Sequence, residues 1–193
     1  MNAKILMTLV GLFLSFSVLS QTPAQQRLVK NVQAEYQAAK GILAKIDKTE
    51  SDLPEPVSIG DKSYDVIRLD DIKLAYVNSP YPKLNVSLYF EFVAEGDTRT
   101  YRPLMAIVSK KDVPMHSLYQ EYLFKDGALR FAFDYEACCG GEMRYYVGKD
   151  VEYIKVDDPE EEISQESVDT FRQNAMTLIE LLDMMMKMSH FGI

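Results

Sequence analysis

The sequence predicts an α+β fold in a single domain: an antiparallel sheet of about six or seven strands with one amphipathic helix before it and one after it. Three observations predict this. Near both ends of the mature chain, apolar residues recur every three or four positions, the period of a helix with one buried stripe. Between those segments they alternate with polar residues, the period of a strand. Short glycine-bearing turns join the alternating segments, and strands joined in that way run antiparallel.

The first helix is expected over 24–47, where Leu28, Val32, Tyr36, Ala39, Leu43 and Ile46 form the stripe and Arg27, Lys30, Gln33, Glu35 and Lys40 lie between them. A polar, proline-containing stretch from Lys48 to Pro56 ends it. The β region is expected over 59–156. One or two strands lie within Ile59 to Val77, interrupted near Asp70-Asp71. Leu84 to Phe92 alternates cleanly, turns at Glu95-Gly96-Asp97, and returns as Thr100 to Ser109. Pro103 in that returning strand cannot donate to a ladder and belongs at an edge or a bulge. Tyr119 to Phe124 and Leu129 to Tyr135 flank Asp126-Gly127, a strong hairpin signal. In the second of these strands Leu129, Phe131, Phe133 and Tyr135 are expected on one face, with Arg130, Ala132 and Asp134 on the other. Met143 to Val147 and Val151 to Val156 make a further hairpin around Gly148-Lys149. An acidic loop over 157–163 follows, and Ser164 caps a helix expected over 165–188, with stripe residues Val168, Phe171, Ala175, Leu178, Ile179, Leu182 and Met186. A sheet of this kind buries one face and wets the other, so both helices are expected on the same face.

Residues 1–20 read as a cleavable signal peptide. Lys4 supplies the basic start, Ile5 to Leu19 the apolar core, and Val18 and Ser20 the small residues before a cut at Ser20-Gln21. The core is shorter than the roughly 20 apolar residues of a membrane span. No transmembrane segment is expected after cleavage. The expected destination is the periplasm or the exterior. Lys4 is the only charge in that segment, so its loss takes the net charge from −8 to −9. An acidic chain is repelled by phosphate backbones, which argues against nucleic acid as a partner.

Few residues carry the marks of chemistry. Cys138 and Cys139 are adjacent and precede Gly140-Gly141; after export, their one internal pairing is a vicinal disulfide, a redox switch or a stiffened loop. Their spacing is neither that of a thioredoxin-like motif nor that of a zinc site. The two histidines, His116 and His190, are surface candidates, and no G-x-S-x-G elbow accompanies them. Glu91, Asp134, Glu136 and Glu142 lie on or near strands and could pair as acid and base across a cleft; solvated strand faces explain them as well. Asp157, Asp158, Glu160, Glu161 and Glu162 offer oxygen ligands but lack EF-hand spacing. Met184, Met185, Met186 and Met188 cannot all face inward from one helix, so Met184, Met185 and Met188 are a candidate partner surface. No motif implies a cofactor.

The run from Glu121 to Phe131, with Arg144-Tyr145-Tyr146-Val147-Gly148 after it, resembles the aromatic Y-Y-F-x-x-G-x-L hairpins of exported, β-rich periplasmic proteins of the Bacteroidetes type. The Ser20-Gln21 junction is similar as well. The resemblance implies an envelope location and assigns no catalytic residue. Three readings follow. The first is a non-catalytic binding module of the envelope whose partner is another envelope or secreted protein, an inhibitor of a cationic enzyme being one form. The second is a redox or enzymatic protein centred on Cys138-Cys139. The third is an assembly component docking through the methionine-rich helix.

Overall fold

A computed structural model describes residues 21–49, 56–72, 83–95, 98–110, 118–136, 141–157 and 165–190. The expected signal peptide lies outside them. Helix α1 spans Pro23–Thr49, and helix α2 spans Gln165–His190. Between them run eight strands: β1 Val57–Ile59, β2 Lys62–Ile72, β3 Leu84–Glu95, β4 Thr98–Lys110, β5 Leu118–Lys125, β6 Ala128–Glu136, β7 Gly141–Val147 and β8 Glu152–Val156. They form one antiparallel meander in chain order, each strand hydrogen-bonded to the next. The α+β class therefore holds, with eight strands in place of six or seven. The addition is β1, three residues long, too short for an alternating pattern to register.

Local chemistry sets the ends and turns. Thr22 and Gln25 form a capping box: the Gln25 amide donates to Thr22 Oγ1 at 3.2 Å and the Thr22 amide donates to Gln25 Oε1 at 2.9 Å. Pro23 opens α1 at the position where its missing N–H costs nothing. At the β5–β6 turn, Asp126 and Gly127 have φ of 52° and 77°, the left-handed pair that a two-residue hairpin requires. Pro103 sits at a register shift between β3 and β4, where Tyr89 pairs Met105 and Phe90 pairs Pro103. The interruption expected near Asp70-Asp71 is a bulge inside β2, with Asp71 at φ 55° and its amide donating to Asn85 Oδ1.

The helices lie on opposite faces of the sheet, not on one. Leu28, Val32, Ala39, Leu43 and Ile46 of α1 pack on Tyr64, Tyr89, Met105, Leu123, Phe131 and Tyr146. Val168, Phe171, Ala175, Leu178, Leu182 and Met186 of α2 pack on Leu84, Val86, Leu88, Phe90, Ala106, Val108, Tyr122, Ala132 and Tyr145. The reason lies in the strands. Six of the eight residues of β5 are buried, so this strand has no face to give to water.

A third register shift corrects the assignment of β6. Leu123 pairs Phe131 but Phe124 pairs Leu129, so Arg130 is the extra residue of a bulge. Beyond it the alternation inverts: Phe131 packs on the α1 side, while Leu129 packs on the α2 side. Arg130 correspondingly reaches α1, its Nε donating to Glu35 Oε2 at 2.7 Å. Gly148, after β7, comes so close to its neighbours that a Cβ there would lie 2.8 Å from Val151 O and 3.1 Å from Leu28 Cδ1.

Candidate functional site

The α1 face of the central strands presents a cross-strand row of Glu121, Phe133 and Arg144, contributed by β5, β6 and β7. The adjacent row holds Leu123, Phe131 and Tyr146. Helix α1 crosses both and brings Val32, Gln33, Tyr36 and Gln37 over them. Between helix and sheet lies an open groove of about 440 Å³, walled by Tyr36, Phe131, Phe133 and Tyr146, with Gln33, Gln37 and Arg144 at its edges. The rings brace one another. Tyr36 meets Phe131 edge-on at 5.4 Å, and Phe131 and Tyr146 are 5.1 Å apart.

Glu121 lies beside this groove, paired across strands with Phe133 and bonded to Tyr36. Its residue is 2% exposed, and its carboxylate accepts hydrogen bonds from the hydroxyls of Tyr36 and Tyr119 and from Lys40 Nζ at 2.9 Å. Burial together with these bonds pushes both phenols well above their ordinary pKa, so they stay protonated donors. The two donors from α1, Tyr36 and Lys40, make this carboxylate a tie between α1 and β5. The sequence reading passed over Glu121. Its signal was a charge at the centre of Leu118-Tyr119-Gln120-Glu121-Tyr122-Leu123-Phe124, a strand otherwise too apolar to be wet on either face.

Across Phe133 from Glu121, the Arg144 guanidinium lies 5.3 Å from the centre of the Phe133 ring and is held by Glu142 and, at 3.2 Å, by Asp157. Desolvation opposes the charge of Asp157, but Arg144 and Lys155 outweigh it and hold its carboxyl below the usual range. Glu35 is likewise held low against desolvation, by Arg130 and Lys125.

Of the acids that could pair or simply be solvated, Glu91, Asp134 and Glu142 do not converge. Glu91 is on the α1 face of β3, bonded to Lys62 at 2.9 Å. Glu142 is on the same face but four strands away, on β7, while Asp134 faces α2. The side chain of Glu136 lies outside the described residues, as do Cys138, Cys139, His116 and the acids Asp158 and Glu160 to Glu162; the side chain of His190 does too. The methionines divide as helical geometry demands. Met186 is buried in the α2 core, Met185 is half-buried, and Met184 and Met188 are 51% and 43% exposed. Among the described residues no group of three or more His, Cys, Asp or Glu gathers as a metal site, and no helix is long and apolar enough to cross a membrane. Comparison with protein families, with curated proteins and with solved structures finds no match for this chain.

Proposed function

We propose that this chain is an exported, non-catalytic binding module of the cell envelope, and that it receives an uncharged, apolar-bodied group of a partner in the groove between α1 and strands β6 and β7. The observation that carries the reading is the composition of that groove: four aromatic rings, two exposed glutamines and one guanidinium already held by two carboxylates. Rings supply contact area at low entropic cost, and amides supply orientation. The neighbouring acid, Glu121, is buried and accepts from Tyr36, Tyr119 and Lys40, which suits a scaffolding role. The N-terminal sequence and the aromatic hairpins support the envelope location. The net charge of −9 left after loss of Lys4 favours a basic envelope or secreted protein as the partner, drawn in most strongly at low salt.

The test titrates ¹⁵N-labelled protein, residues 21–193, with N-acetylphenylalaninamide and with its acid, N-acetylphenylalanine. The neutral amide should give saturable shifts at the Gln33 and Gln37 side chains, and Phe133→Ala should remove them while leaving the rest of the spectrum in place. Shifts scattered over the surface, or shifts unchanged in Phe133→Ala, would count against the groove.

A further inference from the structure

A second cavity, of about 260 Å³, lies on the opposite face of the sheet, between β5–β7 and the first turns of α2. Gln120, Asp134 and Met143 line it from the strands, and Glu166, Thr170 and Asn174 from the helix. Asn174 is 1% exposed. Its Nδ2 donates to the Tyr122 hydroxyl at 3.1 Å, and that hydroxyl donates to Gln120 Oε1 at 3.2 Å. The relay orients the Asn174 amide, and it leaves Asn174 Oδ1 buried with no donor from the protein. A buried carbonyl without a donor is costly, and a fold retains one where something else supplies the donor.

We propose that this cavity binds the ammonium or guanidinium head of a basic organic ligand, with Asn174 Oδ1 accepting from it and the Asp134 and Glu166 carboxylates balancing its charge. The walls offer acceptors: two carboxylates and the Asn174 carbonyl. Such groups present several N–H donors on one charge, so they serve all of these acceptors together. A bare metal ion is served less well, because among the described residues no group of three His, Cys, Asp or Glu gathers here. Met143 and Phe171 add apolar wall suited to the alkyl stem that carries the charge. The α2 N-terminus lies at this end and by itself attracts anions. Glu166 lies in that first turn and Asp134 lines the same cavity from β6, so two carboxylates accompany the terminus. The site lies across the sheet from the aromatic groove and does not depend on it.

The experiment titrates the ¹⁵N-labelled protein with butylammonium, agmatine, 1-butanol and butyrate. Butylammonium and agmatine should give saturable shifts of the Asn174 and Gln120 side-chain amides at millimolar concentration; the alcohol and the acid should not. Asp134→Asn should weaken agmatine by roughly tenfold or more. Since a folding defect in that variant would also abolish binding, the four probes on the unsubstituted protein decide the matter by themselves. Equal shifts from 1-butanol, or none from agmatine, would overturn the proposal. An arginine-bearing peptide, N-acetyl-Gly-Arg-Gly-amide, identifies the source: shifts at the same two amides place the guanidinium on a protein partner, and shifts from agmatine alone place it on a free amine.

Discussion

Glu121 shows how much one side chain can set in a small sheet protein. Its carboxylate is 3% exposed, whereas its partner Lys40 is 36% exposed, so the members of the tie are not of equal weight. Lys40 can return to water when the carboxylate is removed; the hydroxyls of Tyr36 and Tyr119 are more deeply held. Glu121→Ala should therefore cost about 3 kcal/mol, the penalty of stranding buried donors, while Lys40→Met should cost less than about 1 kcal/mol. Urea titrations followed by circular dichroism would check the contrast, and equal costs would show that the lysine, not the phenols, carries the tie. The tyrosines also give the fold an alkaline limit. Burial, with Asp47 nearby, pushes Tyr89 up to about 12; burial and the Asp183 bond do the same to Tyr101, and burial and Glu152 to Tyr145. Their ordinary value is 10.0, so between pH 10 and 12 the unfolded chain holds fewer protons than the folded one. Stability is undiminished below that window and falls as pH rises through it. Tyrosinate absorbance and circular dichroism should change together in one cooperative step; phenols ionising reversibly near pH 10 with the sheet intact would contradict this.

The elements were legible where a pattern repeats and opaque where it breaks. Both helices read correctly because their stripes persist over several turns, and the ends fall within two residues of expectation: Pro23–Thr49 against 24–47, and Gln165–His190 against 165–188. The Asp126-Gly127 turn was legible because few dipeptides tolerate its backbone. No atom lies within 4 Å of a Cβ placed on Gly127, so Gly127→Ala carries only the conformational cost of φ 77°. It should lower stability by about 1 kcal/mol and leave the denaturant slope unchanged. The bulge at Arg130 was not legible. The alternation of Leu129, Phe131, Phe133 and Tyr135 is unbroken in the sequence, and the inversion arises only because β5 pairs Leu123 with Phe131 and Phe124 with Leu129. That Glu91, Asp134 and Glu142 sit apart was not legible for a related reason: strand position is readable, but which strands become neighbours, and which face turns to which helix, is not.

At the scale of the molecule, each helix is the sole cover of one sheet face among the described residues. Removing α1 would bare Tyr64, Tyr89, Met105, Leu123, Phe131 and Tyr146, and removing α2 would bare an equally apolar surface. Neither truncated chain should remain a soluble monomer by light scattering; a monodisperse, folded chain lacking α2 would show that the sheet is stable half-covered. A shorter cut is informative too. Truncation after Leu181 would test docking through the methionines only at the expense of the core, since Leu182 and Met186 are 1% and 7% exposed. Met184→Ser with Met188→Ser leaves the core alone, because both side chains point outward.

By itself the sequence determined the local order of the chain. Helical and alternating periods are properties of neighbouring residues, as are a capping box and a hairpin turn, and they survive without knowledge of what packs where. Tertiary structure alone decided which face each helix took, because a pattern states that a surface is buried and never against what. It alone made a tie of Glu121, whose two partners on α1 lie 81 and 85 residues away along the chain. It also decided the two cavities, which exist only where residues from α1 meet β6 and β7, and where residues from α2 meet β5, β6 and β7.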